Sequence, residues 1–326
     1  MSQTKRIAII GAGLAGAACA EVLVEAGHQV SLFDKSRGAG GRMSTRRGDG
    51  WQCDHGAQYF RARDPLFRAA VAQWETAGVV AAWQGRVVVV ADASTPSPDT
   101  NLTRFVGTPT MTAPARFAAR NATLLTSHTI NSIAREGMHW VLGCAESGEI
   151  TTRFDAVVVA TPAPQAAPLL ARAAPDLAAL ARQVEMLPCW ALMLRYDTPL
   201  SLPFDGAFVS DSPVAWVARD NSKPGRPDGE TWLVHASARW SEAHIESSPE
   251  DVIEALQGPF MALGAPAASH ASAHRWRYAD VAPAQMPGYL WNNTLGLGIC
   301  GDWMNGGKVE GAWLSGHTLG KNILKV

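Results

Sequence analysis

Gly11-Ala12-Gly13-Leu14-Ala15-Gly16 is the first segment whose residue types and spacing could do chemistry. In a strand-to-helix turn these glycines serve three needs: a tight turn, close approach of the backbone to a pyrophosphate, and close helix packing. The helix start then offers unpaired N–H groups to phosphate. Asp34, with Lys35 beside it, ends the second apolar run, where a carboxylate can bond ribose hydroxyls. The alternative is an ordinary tight turn between a strand and a helix.

Arg37-Gly38-Ala39-Gly40-Gly41-Arg42-Met43 follows directly. A glycine-rich segment with a fixed guanidinium can cross a pyrophosphate and donate to it in bidentate fashion. A plain nicotinamide dehydrogenase has a helix here, so the segment favours FAD over NAD. A flexible surface loop is the competing reading.

Residues 6–10 read as a buried parallel strand, 14–26 as a helix stopped by Gly27, and 30–33 as the next strand. This β-α-β unit implies a parallel sheet. Residues 37–60 show little periodicity, and 65–77 read as an amphipathic helix. Residues 79–108 read as antiparallel strands broken by a Pro/Ser/Asp-rich loop at 92–101. Residues 113–119 read as helix, 123–142 as strands, 154–160 as a buried strand and 164–182 as helical. The Trp-rich stretch 188–280 alternates as an antiparallel sheet does. Residues 295–299 and 311–323 return to strand and helix. The expected fold is α/β: a Rossmann-like FAD-binding lobe (1–60, 105–185 and 285–326) with an inserted, mainly antiparallel substrate lobe (61–104 and 186–284).

The 326 residues are 47% apolar and 17% charged, the balance of a packed globule. A net charge of -1 gives no pull towards nucleic acid or anionic membrane. Cys19, Cys53, Cys144, Cys189 and Cys300 are scattered without a C-x-x-C, which argues against a disulfide framework, a zinc site and a dithiol centre. Buried thiols in a reducing cytoplasm are expected, with no signal peptide and no apolar run of about 20 residues to span a bilayer. The sequons at Asn101, Asn121 and Asn292 carry no meaning without secretion. Only one G-x-G-x-x-G occurs, so no separate NAD(P)H-binding domain is expected.

Together with Asp54-His55-Gly56-Ala57-Gln58-Tyr59-Phe60, the two N-terminal motifs resemble the flavin amine-oxidase superfamily, and within it renalase and its bacterial relatives. Gly301-Asp302-Trp303, Gly306-Gly307 and Val309-Glu310-Gly311-Ala312 resemble that superfamily's second flavin motif. The resemblance is specific at the two flavin ends and loose between 65 and 185. It implies non-covalent FAD held by Gly11, Ala12, Gly13, Leu14, Ala15, Gly16, Asp34, Lys35, Arg42, Met43, Gln58, Tyr59, Asp302, Val309, Glu310 and Ala312, with the Ile130 backbone near the adenine. It also implies oxidation of 2- and 6-dihydro isomers of NAD(P), with O₂ reoxidising the flavin to give H₂O₂. Cys300 reads as a strand residue rather than a covalent flavin link.

A hydride leaving a dihydropyridine yields an aromatic cation, so no strong base is required and no catalytic side chain is expected. A flat ring wants aromatic walls and a few donors. The substrate-facing candidates are Gln58, Tyr59, Trp190, Trp216, His235, Trp276 and Tyr278. The tryptophans could equally be core, and His235 a satisfied core histidine. Arg275 and Arg277 could meet phosphates or form a solvated strand face. The competing functions are an amine oxidase or desaturase on the same scaffold, and a flavin redox sensor without turnover. Oligomeric state is not legible.

Overall fold

The computed structural model describes residues 4–91, 97–98 and 102–325, and most of the loop expected at 92–101 lies outside them. Its central sheet has six strands. They run in the order Leu290–Asn292, Leu297–Ile299, Ala156–Val159, Arg6–Ile10, Gln29–Asp34, Thr123–Thr126. All neighbours are parallel except the edge strand Leu290–Asn292. Strands buried on both faces need continuous apolar runs, and Ile7, Ile9, Val157, Val158 and Val159 are fully buried. The sheet therefore draws strands from the beginning, middle and end of the chain.

Two helices pack on one another beside this sheet. Leu14–Glu25 follows the glycine turn, and Lys308–Ile323 closes the chain. They approach so closely that a Cβ at Gly316 would lie 1.9 Å from the carbonyl oxygen of Ala15. Glycine is required there by backbone proximity.

The second sheet has seven strands, in the order His270–Val281, Met186–Tyr196, Glu230–Ala236, Val214–Arg219, Gly206–Val209, Val87–Val90, Ser97–Pro98. It is antiparallel except where Gly206–Val209 meets Val87–Val90. Alternation assigns its faces. Trp190, Leu192 and Leu194 point outward, onto Val252, Leu256 and Phe260 of the helix Pro249–Met261. Ala191, Met193 and Leu233 point inward, onto Cys53.

Two features depart from the sequence reading. Residues 37–60 are not aperiodic throughout: Thr45–Gly48 and Trp51–Asp54 form a hairpin that turns through Gly50 at φ +68°. The stretch 188–280 also contains two helices, Ala238–Ala243 and Pro249–Met261. Ser237 and Ser248 cap them, a signal the Trp-rich alternation around them obscured. Among the described residues, no helix is long and apolar enough to cross a membrane.

The close helix contact is testable. Gly316→Ala lowers the free energy of unfolding in urea by about 1–3 kcal/mol through overpacking; wild-type stability in that variant would contradict the backbone contact.

Candidate functional site

The glycine turn is tight and open on one side. Gly11 sits at φ +108°, and a Cβ there would meet the Ala160 carbonyl oxygen at 2.7 Å. A Cβ at Gly16 would lie 2.0 Å from the Gly11 carbonyl oxygen, whereas one at Gly13 would enter open space. No side chain caps the helix that starts at Leu14. Its first N–H groups are thus left for a ligand, with the approach over Gly13 clear. The Asp34 carboxylate accepts from the Ala12 N–H at 2.7 Å and the Ser36 N–H at 2.8 Å, which ties the second strand's end to the turn. Lys35 is exposed. The amide of His128 donates to the Asp34 carbonyl at 3.0 Å. That contact brings the start of the Ile130–Glu136 strand to the same end of the sheet.

The segment around Arg42 lies across this turn. Gly40 donates to the Ala12 carbonyl at 2.9 Å, and Gly41 packs against Gly13. Arg42 then joins the two ends of the chain: its guanidinium donates to both Asp302 oxygens, at 2.9 and 2.5 Å. Asp302 is buried and opens the turn that leads to Lys308–Ile323. Met43, Tyr59, Val309 and Ala312 share one apolar cluster with Leu14. Glu310 accepts from the Arg63 and Asp64 amides at 2.7 Å each. The residues expected at the cofactor thus converge from both termini. Burial pushes the Cys300 thiol up to about 12, which makes it inert, and the residue lies just past the strand Leu297–Ile299 rather than in it.

Behind the Arg42 segment lies a cluster that the sequence reading missed. Asp54, Asp220, Lys223 and Arg226 are buried together, with side chains at most 1% exposed. Lys223 Nζ donates to Asp220 at 2.9 Å, to the Gln58 side-chain oxygen at 3.1 Å and to Asp54 at 3.3 Å. Arg226 donates to Asp54 at 2.5 Å and to the Gly107 carbonyl at 2.6 Å. Asp54 also accepts from the Thr45 hydroxyl and the Met111 amide. Burial alone would raise the Asp54 pKa, but Lys223 and Arg226 outweigh it and hold it down to about 2. Asp220, with one oxygen unbonded, is pushed up by burial. Gln58 belongs to this network. Its amide donates to the Asp54 and Gly56 carbonyls, so its polar atoms are engaged inside the protein rather than turned to a substrate. This corrects the expectation for its side chain.

The inner face of the seven-stranded sheet carries a different chemistry. Trp276 stacks on His55, with centroids 5.1 Å apart and planes 29° apart. His274 stands edge-on to both, at 4.8 and 4.5 Å. The Trp276 indole N–H and the His235 ring both bond the His55 carbonyl, at 2.8 and 3.2 Å. A carbonyl can only accept, so His235 carries its proton on Nε2. Tyr278 follows Trp276 by two residues and shares its face of the strand. Burial drives all three imidazoles neutral. His55 falls to about 3, helped by His274 and Arg46; His274 falls to about 4, helped by Arg46. His235 falls to about 4 despite its hydrogen bond.

Trp190 is a correction. It is 2% exposed on the outer face, its indole N–H bonded to the His244 carbonyl, so strand alternation points it away from the cofactor lobe. Arg275 and Arg277 share that outer side and pair with exposed Glu246, the solvated-face alternative. Trp216 is 5% exposed, in a nest with Tyr59 and Phe208.

The neutral histidines make stability depend on pH. An unfolded histidine takes a proton near pH 6.5, whereas His55 and His235 resist it in the fold until about pH 3–4. Their contribution is complete above pH 6.5 and is lost as pH falls from 6.5 towards 4. Urea unfolding at pH 5 should show a loss on the order of 2 kcal/mol for each relative to pH 7. His235→Asn should make that decline shallower, and an unchanged slope would contradict the neutral assignment.

Residues 9–74 match an NAD(P)-binding Rossmann-like domain, and residues 107–324 match the family described as flavin containing amine oxidoreductase. The L-amino-acid oxidase of Pseudechis australis is 42% identical over 69 residues, 21% of this chain and 13% of that protein. The L-amino acid oxidase Lm29 of Lachesis muta is 47% identical over 57 residues, 17% of this chain and 11% of that protein. The matched stretch is thus a small part of those oxidases' length. Among solved structures, a putative protoporphyrinogen oxidase from Exiguobacterium sp. 255-15 superposes with a TM-score of 0.77 at 13% identity, over 100% of both chains. Cyclohexylamine oxidase from Brevibacterium oxydans gives 0.77 at 13% identity over 99% of both. The last two likenesses concern the fold. With the family match spanning residues 107–324 and a Rossmann-like dinucleotide-binding match before it, this protein belongs to the flavin containing amine oxidoreductase family and uses FAD.

Proposed function

We propose that this flavin-dependent oxidoreductase takes a hydride from 2- or 6-dihydro isomers of NAD(P) and passes the electrons to O₂, a renalase-like activity with non-covalent FAD. The observation that carries this reading is the uncharged imidazole–indole cluster of His55, His235, His274 and Trp276 on the sheet face turned to the cofactor lobe. A flat dihydropyridine needs such walls. It leaves as an aromatic cation, so the site needs orientation and neutral hydrogen-bonding groups rather than a base.

FAD fits the residues present: the open approach over Gly13 and the uncapped helix behind it suit the pyrophosphate. The Arg42–Asp302 pair would flank its middle; the bidentate grip of Arg42 is on Asp302, not free for the pyrophosphate as its sequence position suggests. Bound FAD would supply the two-electron chemistry, accepting hydride plus a proton and returning two electrons and two protons to O₂ as H₂O₂. Tyr59 and Met43 would shield the same region from water, in one apolar cluster with Val309. Cys300 stays out of the chemistry because its thiol is buried.

A second reading rests on the names of structural neighbours, cyclohexylamine oxidase and putrescine oxidase. An aromatic site also receives a neutral amine, which would make the chain an amine oxidase on a small substrate.

Anaerobic mixing separates the two. The purified yellow protein should bleach rapidly with 2- or 6-dihydro-NAD(P) and slowly, if at all, with ordinary NAD(P)H and simple amines. Bleaching by amines with none by the isomers would replace the first reading with the second.

A further inference from the structure

Next to Tyr59 stands a cation that none of the chemistry above uses. The Arg61 guanidinium lies 5.8 Å from the centre of the Tyr59 ring. Arg104, 5% exposed, brings its own guanidinium to 5.2 Å from the same ring. Among the described residues Arg61 forms no ion pair, and its Nε is buried without an acceptor. The indole N–H of Trp216, whose ring lies 5.5 Å from Tyr59, is also buried without an acceptor. Two guanidiniums and an unmet indole donor thus surround one aromatic ring.

The position of this group matters. Glu310 holds the amides of Arg63 and Asp64, which pins the segment after Tyr59 to the start of the C-terminal helix. Glu310 spends its charge on those amides and forms no ion pair with Arg61. Beside the segment proposed to meet the cofactor, Arg61 therefore has no charge partner among the described residues. A half-buried guanidinium loses hydration, and it gains that back from an acceptor it can grip with two parallel N–H bonds. The Tyr59 face steadies the side chain meanwhile.

We propose that Arg61, with Arg104 behind it, binds the anionic group of the substrate, a phosphate or a carboxylate. This deepens the reading above and rests on it for the location of the substrate. Phosphates of a dinucleotide and the carboxylate of an amino acid share this chemistry. Diamines and other cations are repelled by it.

The test uses the FAD-loaded protein, with flavin absorbance changes as the readout. ADP-ribose and benzoate are titrated as the phosphate and carboxylate probes, and adenosine and benzamide as their neutral counterparts. At least one anion should bind. Arg61→Gln should raise its Kd by about tenfold or more while the neutral compounds keep theirs, and Arg61→Lys should fall between. Should Arg61→Gln not fold, the Arg61→Lys shift reads the same quantity. Binding of ADP-ribose alone identifies phosphate as the source. Binding of benzoate alone supports the anion site while counting against the dinucleotide substrate, which bleaching by the dihydro isomers decides separately. No anion binding, or an unchanged Kd in both variants, overturns the proposal.

Discussion

Asp54 is the point on which the site depends. Three separate stretches of chain reach its carboxylate: the hairpin through Thr45, the turn before Ala113 through the Met111 amide, and the loop after Arg219 through Lys223 and Arg226. A carboxylate removed from water is tolerated only when its charge is matched and its lone pairs are met. Here two cations and two carboxylates are buried together and neutralise one another. Once they are in place, Gln58 is fixed through Lys223, and the motif from Asp54 to Phe60 acquires a defined path behind Arg42. The Ala57 amide bonds the Arg42 carbonyl at 2.9 Å, which passes the order on to the segment that lies across the glycine turn.

Charge and neutrality are kept apart in this molecule. The ionic network is confined to one side of residues 54–58. On the other, His55 packs against Trp276 and His274 and stays uncharged. One residue step along the chain separates a fully ionised carboxylate from a neutral imidazole, because successive side chains point to opposite faces. The same alternation explains why Trp190 lies in the outer core while Ala191 faces inward, and why Arg275 and Arg277 meet Glu246 in solvent while Trp276 packs inward.

Much of this was legible in the sequence. The glycine turn, the first two strands and the helix between them announce themselves through local spacing, since each is fixed by neighbours in the chain. Alternation marked the Trp-rich sheet but not which face of each strand looks inward, so Trp190 and Trp276 were indistinguishable. The hairpin of Thr45 to Asp54 was hidden because its strands are only four residues each and the first carries two arginines. Asp220, Lys223 and Arg226 were hidden for a stronger reason: a Pro- and Gly-bearing run of charges reads as a solvated turn, and only its tertiary partners justify its burial. Arg61 escaped for a different reason: the lack of a charge partner among the described residues leaves no mark on a sequence.

The buried charges hold in place the segment proposed to bind the flavin, and Lys223→Met tests this most directly. It removes one cation and leaves Asp220 buried without its partner. Urea unfolding of that variant should show a loss of about 3–5 kcal/mol, together with weaker retention of FAD on dialysis. Wild-type stability and full retention of FAD would contradict the account.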